Sequence, residues 1–333
     1  MTMLFMKKKY QLERFFVTWL MILFMILTDA FTAFAQVKQA TFLVNGISCD
    51  LEQGILKVEF VTPDVVRVQY TGENTFIGNG TDVCLPRAVD NPVRWVYTPN
   101  PDCYLLKSDS LIVRVDLSTA SITYLDKEGG LLLQEDQNIP RISEKRVTKQ
   151  VIYDEHSKHI EKTADGDKEI KNVLRYDTIG HTWKYRINFK WQPLEALYGW
   201  GAHMEDYMNL RGKELYLCQH NLKAMVPVLN STAGYGLLFD AGCAMMFKDN
   251  SEGSFVELEA AKQIDYYFMK GKTMDAVVAN YRLLTGNSPM MPLYLFGYIQ
   301  SKERYVSSDD LINTLKEYRQ RQIPIDMIVQ DWN

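Results

Sequence analysis

An acidic side chain follows the last apolar stretch of the sequence, in a position that suits the binding of a hydroxylated ligand. Asp331 follows residues 325–329 with only Gln330 between them, and the nearly continuous apolar character of 325–329 predicts a buried strand. A carboxylate at the end of such a strand can accept two hydroxyl hydrogen bonds, which are strong because the acceptor is charged. The alternatives for Asp331 are an ordinary loop acid or a cap for a following helix. Asp326, near the start of the same strand, is predicted to be structural.

A histidine pair and the cysteines are the other residues with metal-binding or nucleophilic potential. His156 and His159 have a spacing that could hold a metal ion on a helix. They lie in the charged stretch 141–171, which we interpret as a solvent-facing hairpin or insertion. The five cysteines are odd in number and their spacings match no metal pattern. We therefore predict solvated histidines, no metal site and no cofactor.

A mainly β domain must position any site in the first part of the chain. From residue 40 to about 292 apolar residues recur at every second position, as in Leu111, Val113 and Val115, which predicts strands with one buried face. The turn 126–130 ends in two glycines and predicts a hairpin. Many short strands with few helices indicate a β-sandwich.

The pattern changes near residue 272. Thr273 can cap a helix that presents Met274, Val277, Tyr281 and Leu284 on one face, and we expect this helix to connect two domains. After it, residues 294–299 predict a strand, Ser307 or Ser308 a helix cap, and 325–329 a second strand. This order predicts a right-handed parallel crossover. One such unit cannot bury both faces of its strands, so we expect the domain that it opens to be incomplete here.

The N-terminal residues have the form of an export signal. Lysines at 7–9 and Arg14 precede the apolar run 15–27, and Ala33-Phe34-Ala35 follows, which predicts cleavage after Ala35. The run is short for a membrane span of about 20 residues, although an uncleaved anchor stays open. We expect no membrane partner after cleavage and a secreted or periplasmic location. The net charge of −4 gives no reason to expect nucleic acid, and the sequence leaves a homo-oligomer open.

Three groups of motifs follow one another over about 140 residues. The first is Leu197-Tyr198-Gly199-Trp200-Gly201-Ala202-His203. The second is Asn209-Leu210-Arg211-Gly212 with Gln219-His220-Asn221, Val226-Pro227-Val228 and Gly234-Tyr235-Gly236. The third is Phe296-Gly297-Tyr298-Ile299-Gln300 with Ile323-Pro324-Ile325-Asp326 and Gln330-Asp331-Trp332-Asn333. In order and spacing these motifs resemble glycoside hydrolase family 31, the α-glucosidase and α-xylosidase family. Trp200 stands where the family's Tyr-Gly-Leu-Gly signature has leucine.

The resemblance implies a galactose-mutarotase-like N-terminal β-sandwich followed by a (β/α)8 barrel. We accordingly expect a signal peptide at 1–35, the sandwich at 36–290, and the first β-α-β of a truncated barrel at 291–333. It also implies retaining hydrolysis of α-glycosidic bonds by two aspartates, a nucleophile and an acid/base. Both lie on later barrel strands in the family, so no catalytic residue is assigned in this chain.

The same resemblance implies which residues touch the sugar. Asp331 matches the family's carboxylate that holds the non-reducing sugar in the −1 subsite. Trp332 could stack on the sugar ring or pack between barrel loops. His220 and Asn221 lie where the family sends a loop over the barrel mouth. That loop commonly contributes an acid, and here none stands at these positions.

The sequence thus supports two principal hypotheses. The first is the N-terminal part of an exported retaining exo-α-glycosidase, an α-glucosidase or α-xylosidase acting on α-linked oligosaccharides, with an α-transglucosidase as an alternative. The second is a catalytically inactive carbohydrate-binding fragment. A mutarotase-like enzyme would share the sandwich, but it would leave the strand-helix-strand tail unexplained.

Overall fold

The computed structural model describes residues 36–78, 83–85, 92–163 and 166–331. The predicted export signal and Trp332 therefore lie outside the described residues. The chain divides into two compact units, with the boundary between Thr285 and Gly286. Among the described residues, no helix has the length and apolar character needed to cross a bilayer.

Two large antiparallel sheets make up the first unit. Its strands, in chain order, are β1 Val37–Phe42, β2 Gly46–Leu51, β3 Ile55–Thr62, β4 Val65–Thr71, β5 Trp95–Thr98, β6 Cys103–Ser108, β7 Leu111–Asp116, β8 Ile122–Asp126, β9 Leu131–Glu135, β10 Arg141–Tyr153, β11 His159–Thr163, β12 Gly166–Ile170, β13 Val173–Lys190, β14 Leu197–Ala202, β15 Glu214–Leu217, β16 Ala224–Ser231, β17 Tyr235–Phe239, β18 Met245–Asn250, β19 Gly253–Ala261 and β20 Ile264–Lys270. The first sheet has the order β1-β2-β3-β4-β20-β17-β16-β14. The second has the order β15-β18-β19-β13-β9-β8-β7-β6-β5, with β10 beside β13.

The inner faces of the two sheets share one hydrophobic core. Strand β7 alternates buried and half-buried residues along its whole length, as its period-two sequence predicts. Tyr124 of the second sheet stacks on Phe268 of the first, with 3.9 Å between ring centroids. The large buried aromatic residues supply much of the apolar area that holds the sheets together. The predicted β-sandwich is confirmed, as is the hairpin at 126–130, where β8 pairs with β9.

The charged stretch 141–171 forms a β-arm. Strand β10 pairs along β13, and β11 pairs with β12 as a separate hairpin, so the predicted solvent-facing hairpin is confirmed. Residues 156–159 do not form the helix that would place His156 and His159 on one face to bind a metal ion. His156 lies in a single 3-10 turn and His159 begins β11, and both are exposed.

A helix packs on the outer face of the first sheet. Helix α1, Met274–Thr285, buries Val277 and Leu284 of its predicted stripe, whereas Met274 stays 37% exposed. The hydroxyl of Thr273 accepts the N–H of Ala276, which confirms the predicted cap. Gly236 makes the close approach to β17 possible, because a Cβ there would lie 2.4 Å from Val277 Cγ1.

The second unit contains two parallel strands and a helix. Its elements are a 3-10 turn at Leu293–Phe296, β21 Ile299–Lys302, α2 Ser308–Gln320 and β22 Met327–Gln330. Strands β21 and β22 pair in parallel with α2 between them in the chain, and the Ser307 hydroxyl caps α2, as predicted.

The predicted limits of both strands in the second unit were wrong. A strand was expected at 294–299, but the first half of that run lies in the 3-10 turn, which Gly297 closes by donating to the carbonyl of Tyr294, and the strand begins only at Ile299. Periodicity cannot distinguish a strand from a turn in so short an apolar run. The second strand begins at Met327, two residues later than expected, because Asp326 is engaged with Tyr298.

Candidate functional site

Asp331 lies at the carboxyl end of the parallel strand pair. Lys302 pairs with Gln330 at the last position of β21 and β22, and Asp331 follows directly. Its side chain is exposed. Because the carboxyl ends of parallel barrel strands form the binding face of that fold, Asp331 lies at the edge where a substrate contact is expected. Trp332, its predicted neighbour in the site, lies outside the described residues.

Asp326 lies at the opposite end of β22. Its carboxylate accepts the N–H of Tyr298 at 3.1 Å, and its own N–H donates to the Tyr298 carbonyl at 3.0 Å. These bonds hold the chain together just before β21. The structural role predicted for this acid is therefore confirmed.

His220 and Asn221 share an exposed turn between β15 and β16 of the first unit. Gln219 stabilises the turn, since its amide oxygen accepts the N–H of Met225 at 2.9 Å and its amide nitrogen donates to the carbonyl of Lys223. The ring Nδ1 of His220 lies 2.7 Å from the Asn221 carbonyl oxygen. The structure thus brings these two predicted site residues together, and Asp331 belongs to the other unit.

A β-bulge interrupts β14 next to this turn. Gly199, Trp200 and Gly201 all have positive φ, and the pairing with β16 shifts between the two glycines. A Cβ on Gly201 would lie 1.9 Å from the carbonyl oxygen of Ala224. The bulge directs the Trp200 side chain fully into the core. The glycine-rich signature is thus a packing feature of the sheet.

The bulge borders a cavity of about 280 Å³ in the first unit. Glu205 and Tyr207 lie in its wall, and no sequence pattern marks either of them as a site residue. Both residues are in an irregular segment without periodicity. Gly199 and Gly201, which precede them, are the sequence signal of unusual backbone geometry in this region. Two glycines in such spacing do not specify a cavity.

A buried carboxyl group supports the start of β14. One oxygen of Glu195 accepts the N–H of Gln192 at 2.7 Å, and the other accepts the hydroxyls of Ser231 and, at 3.0 Å, Tyr235. Burial raises the pKa of the Glu195 carboxyl above its ordinary value, against the effect of these hydrogen bonds.

Replacing Glu195 with glutamine is expected to change how stability depends on pH. Because the folded-state pKa is raised, folded protein holds this proton at pH values where an unfolded chain, with a pKa of about 4.3, has released it. The stabilisation is complete below that value and is lost as pH rises through the folded-state pKa. Urea unfolding across this range should show the variant gaining stability relative to the parent. A difference that is independent of pH would contradict the prediction.

Two family models match the chain in the order of its two units. Residues 55–247 match the Glycosyl hydrolase 31 N-terminal galactose mutarotase-like domain, which is more than half of the chain. Residues 288–333 match the Glycosyl hydrolases family 31 TIM-barrel domain. The second match includes β21, α2, β22 and Asp331.

Curated relatives and solved structures agree with these matches. An α-xylosidase of Saccharolobus solfataricus is 28% identical over 286 residues, which cover 83% of this chain and 34% of the relative. A GH31 α-xylosidase from a soil metagenome, solved with xylose, has a TM-score of 0.65 at 21% identity and covers 89% of this chain and 41% of its own. A GH31 dextranase of Flavobacterium johnsoniae, solved with isomaltotriose, has a TM-score of 0.67 at 20% identity, over 90% and 34% of the two chains.

The structural similarities, at such low identity, concern the fold alone. The chain spans about a third of the length of the curated relatives that cover most of it, 34% of the Saccharolobus solfataricus enzyme and 33% of Alpha-glucosidase 2 from Bacillus thermoamyloliquefaciens. The two family models and the relatives agree, and the first model covers more than half of the sequence. This chain belongs to glycosyl hydrolase family 31, with the family's N-terminal domain and the opening of its barrel.

Proposed function

We propose that this chain is the N-terminal part of a retaining exo-acting α-xylosidase. The observation that carries the proposal is the position of Asp331 at the carboxyl end of the parallel strand pair, inside the segment that matches the family's barrel. A carboxylate there would accept hydroxyl hydrogen bonds from the terminal sugar of an α-linked oligosaccharide. Xylose is favoured because the Saccharolobus solfataricus relative, which covers 83% of the chain, is an α-xylosidase.

An α-glucosidase is the second candidate. The relative from Bacillus thermoamyloliquefaciens is an α-glucosidase and covers 86% of the chain, at 22% identity. The two activities differ in whether the pocket accepts the C6 hydroxymethyl group of the sugar. A third candidate is transfer of the glycosyl unit to a second sugar. It is supported by a 1,6-α-glucosyltransferase of Sporosarcina globispora, which is 28% identical over 117 residues.

Hydrolysis by the product of the complete reading frame that encodes this chain tests the proposal. We expect release of 4-nitrophenol from its α-xyloside with retention of anomeric configuration, which NMR of the first sugar product can follow. A higher kcat/KM for the α-glucoside would support the second candidate. Cleavage of neither substrate, by folded protein, would contradict both.

The 333-residue chain by itself is expected to hydrolyse neither glycoside. Retaining hydrolysis needs two carboxyl groups about 5 to 5.5 Å apart across the scissile bond. The family's pair belongs to later barrel strands, and the described parallel sheet has two strands. The test is an assay of purified 333-residue protein, shown by circular dichroism to be folded. Multiple turnovers on either 4-nitrophenyl substrate would overturn the prediction.

We further propose export with cleavage after Ala35. The basic, apolar and Ala-Phe-Ala segments of residues 7–35 support this proposal. Mass spectrometry of the protein recovered from the periplasm or medium of an expressing bacterium should give a mature N-terminus at Gln36. Full-length protein retained in the cytosol would contradict it.

A further inference from the structure

The cavity beside β14 contains two buried acceptor atoms that share no donor. His203 Nε2 lies 2.7 Å from the carbonyl oxygen of Trp200, and because a carbonyl only accepts, this nitrogen carries the proton. In the neutral ring Nδ1 then presents a lone pair. Nδ1 of His203 and Oε2 of Glu205 are both buried without a hydrogen-bond partner. The side chain of His203 is 9% exposed.

The separation of these two atoms leaves room for one donor. His203 Nδ1 and Glu205 Oε2 are 3.9 Å apart, which is too far for a direct hydrogen bond. The other oxygen of Glu205 lies 3.1 Å from Lys223 Nζ, and this contact lowers the pKa of the carboxyl, so it is ionised. A hydroxyl placed near both atoms can donate to one of them, and a second hydroxyl can donate to the other, which would relieve an arrangement that is otherwise costly.

The other lining residues of the cavity have apolar or aromatic side chains, and polar atoms are also exposed in its wall. Flat aromatic rings pack well against the C–H faces of pyranose sugars. The lining residues outside the polar pair and the bulge glycines are Tyr198, Ala202, Tyr207, Met208, Leu210 and Leu215. A few fixed polar atoms in such a wall are what orients a small ligand.

The charges in the cavity exclude other classes of ligand. Glu205 would repel an anion, and its charge is already paired with Lys223, which reduces its attraction for an organic cation. Among the described residues, no group of three or more His, Cys, Asp or Glu side chains could hold a metal ion. A neutral ligand rich in hydroxyl groups fits both the acceptors and the rings.

We propose that this cavity, which residues of the first unit alone line, is a sugar-binding site in which one hydroxyl of a pyranose donates to Glu205 Oε2 or His203 Nδ1. Lys223 Nζ lies 3.1 Å from the other oxygen of Glu205 and so holds the carboxylate that accepts this hydroxyl. The cavity of about 280 Å³ suits one sugar residue, either free or at the end of a glycan. The site lies wholly in the sandwich unit, so it does not depend on the proposed hydrolytic function.

Ligand-observed NMR titration of the 333-residue chain with D-xylose and D-glucose tests the site. We expect saturable binding, at least tenfold weaker in Glu205→Gln, which keeps the shape of the side chain and removes the charged acceptor. His203→Phe should also weaken binding, because it keeps a flat ring and removes Nδ1. Glu214→Gln, a change to an exposed carboxylate on β15, should bind like the parent. Thermal unfolding of each variant identifies any that fails to fold.

Asp331→Asn separates this site from the proposed catalytic one. Binding that survives Asp331→Asn and is lost in Glu205→Gln supports the cavity site, whether or not the chain belongs to a glycosidase. Binding lost in Asp331→Asn and kept in Glu205→Gln would overturn it. The absence of saturable binding in the folded parent would also overturn it, and would indicate that the acceptors bind an ordered water only.

Discussion

Replacement of Arg141 with methionine is expected to destabilise the folded chain by about 3 to 5 kcal/mol, because it leaves the carboxyl group of Glu135 buried without its ion-pair partner. Glu135 is fully buried and pairs with Arg141, whose side chain is 5% exposed. The same carboxylate accepts the N–H of Ile122 and the hydroxyl of Tyr266, both at 2.9 Å. Tyr266 in turn lies 3.0 Å from the Tyr124 hydroxyl in the opposite sheet. The pair therefore anchors a polar network between the sheets.

A second arginine on the same strand is the matched control. Arg146 pairs with Glu144 at 3.1 Å, but both side chains are exposed. Exposed ion pairs contribute little, so Arg146→Met should destabilise the chain far less than Arg141→Met. Urea unfolding of both variants at neutral pH measures the difference. Equal losses of stability would contradict the argument that burial of the Glu135 carboxylate sets the cost.

A double variant tests the cause of the loss. Glu135→Gln combined with Arg141→Met removes the unpaired carboxyl group, while the amide oxygen can still accept the N–H of Ile122. We expect the double variant to be more stable than Arg141→Met alone. A double variant that is less stable than the single one would indicate that the arginine acts through packing and through its hydrogen bond to the Ala120 carbonyl at 3.0 Å.

Asp331→Asn is expected to lower kcat/KM of the complete reading-frame product by roughly a hundredfold or more. The proposed contact consists of two hydrogen bonds to a charged acceptor, and each such bond contributes about 1.5 to 3 kcal/mol. An amide has one acceptor oxygen and no charge, so it cannot replace both. If the contact tightens as the ring distorts toward the transition state, kcat should fall more than KM rises.

Asp326→Asn is the matched control for this prediction. It makes the same chemical change at the other end of the strand, and its amide oxygen can still accept the N–H of Tyr298. Its kcat/KM should stay close to that of the parent enzyme. If the two variants lose equal activity while both remain folded, Asp331 does not contact the substrate.

Much of the architecture could be predicted from local sequence patterns. The alternation along β7, the glycine turn at 126–130 and the hydroxyl caps at Thr273 and Ser307 all formed as expected. These features depend on backbone preference and on the period of burial, which neighbouring residues determine. The order strand, helix, strand likewise indicated the parallel pair that carries Asp331 at its carboxyl end.

Only the tertiary structure decided the burial and contacts of some residues. These residues have partners that lie far along the chain or outside regular elements. Glu135 and Arg141 read as ordinary charged residues, and their burial follows from the approach of Tyr266 in the opposite sheet. Trp200 stands between two glycines, and only the bulge against β16 directs it inward.

The sequence by itself determined the two kinds of unit, the family resemblance and the position of Asp331 after the second strand of the parallel pair. The tertiary structure decided where β21 begins and that His203 and Glu205 lie close together in the wall of a cavity. The physical reason is that periodicity records which face of an element is buried, whereas a cavity depends on how irregular backbone packs against several elements.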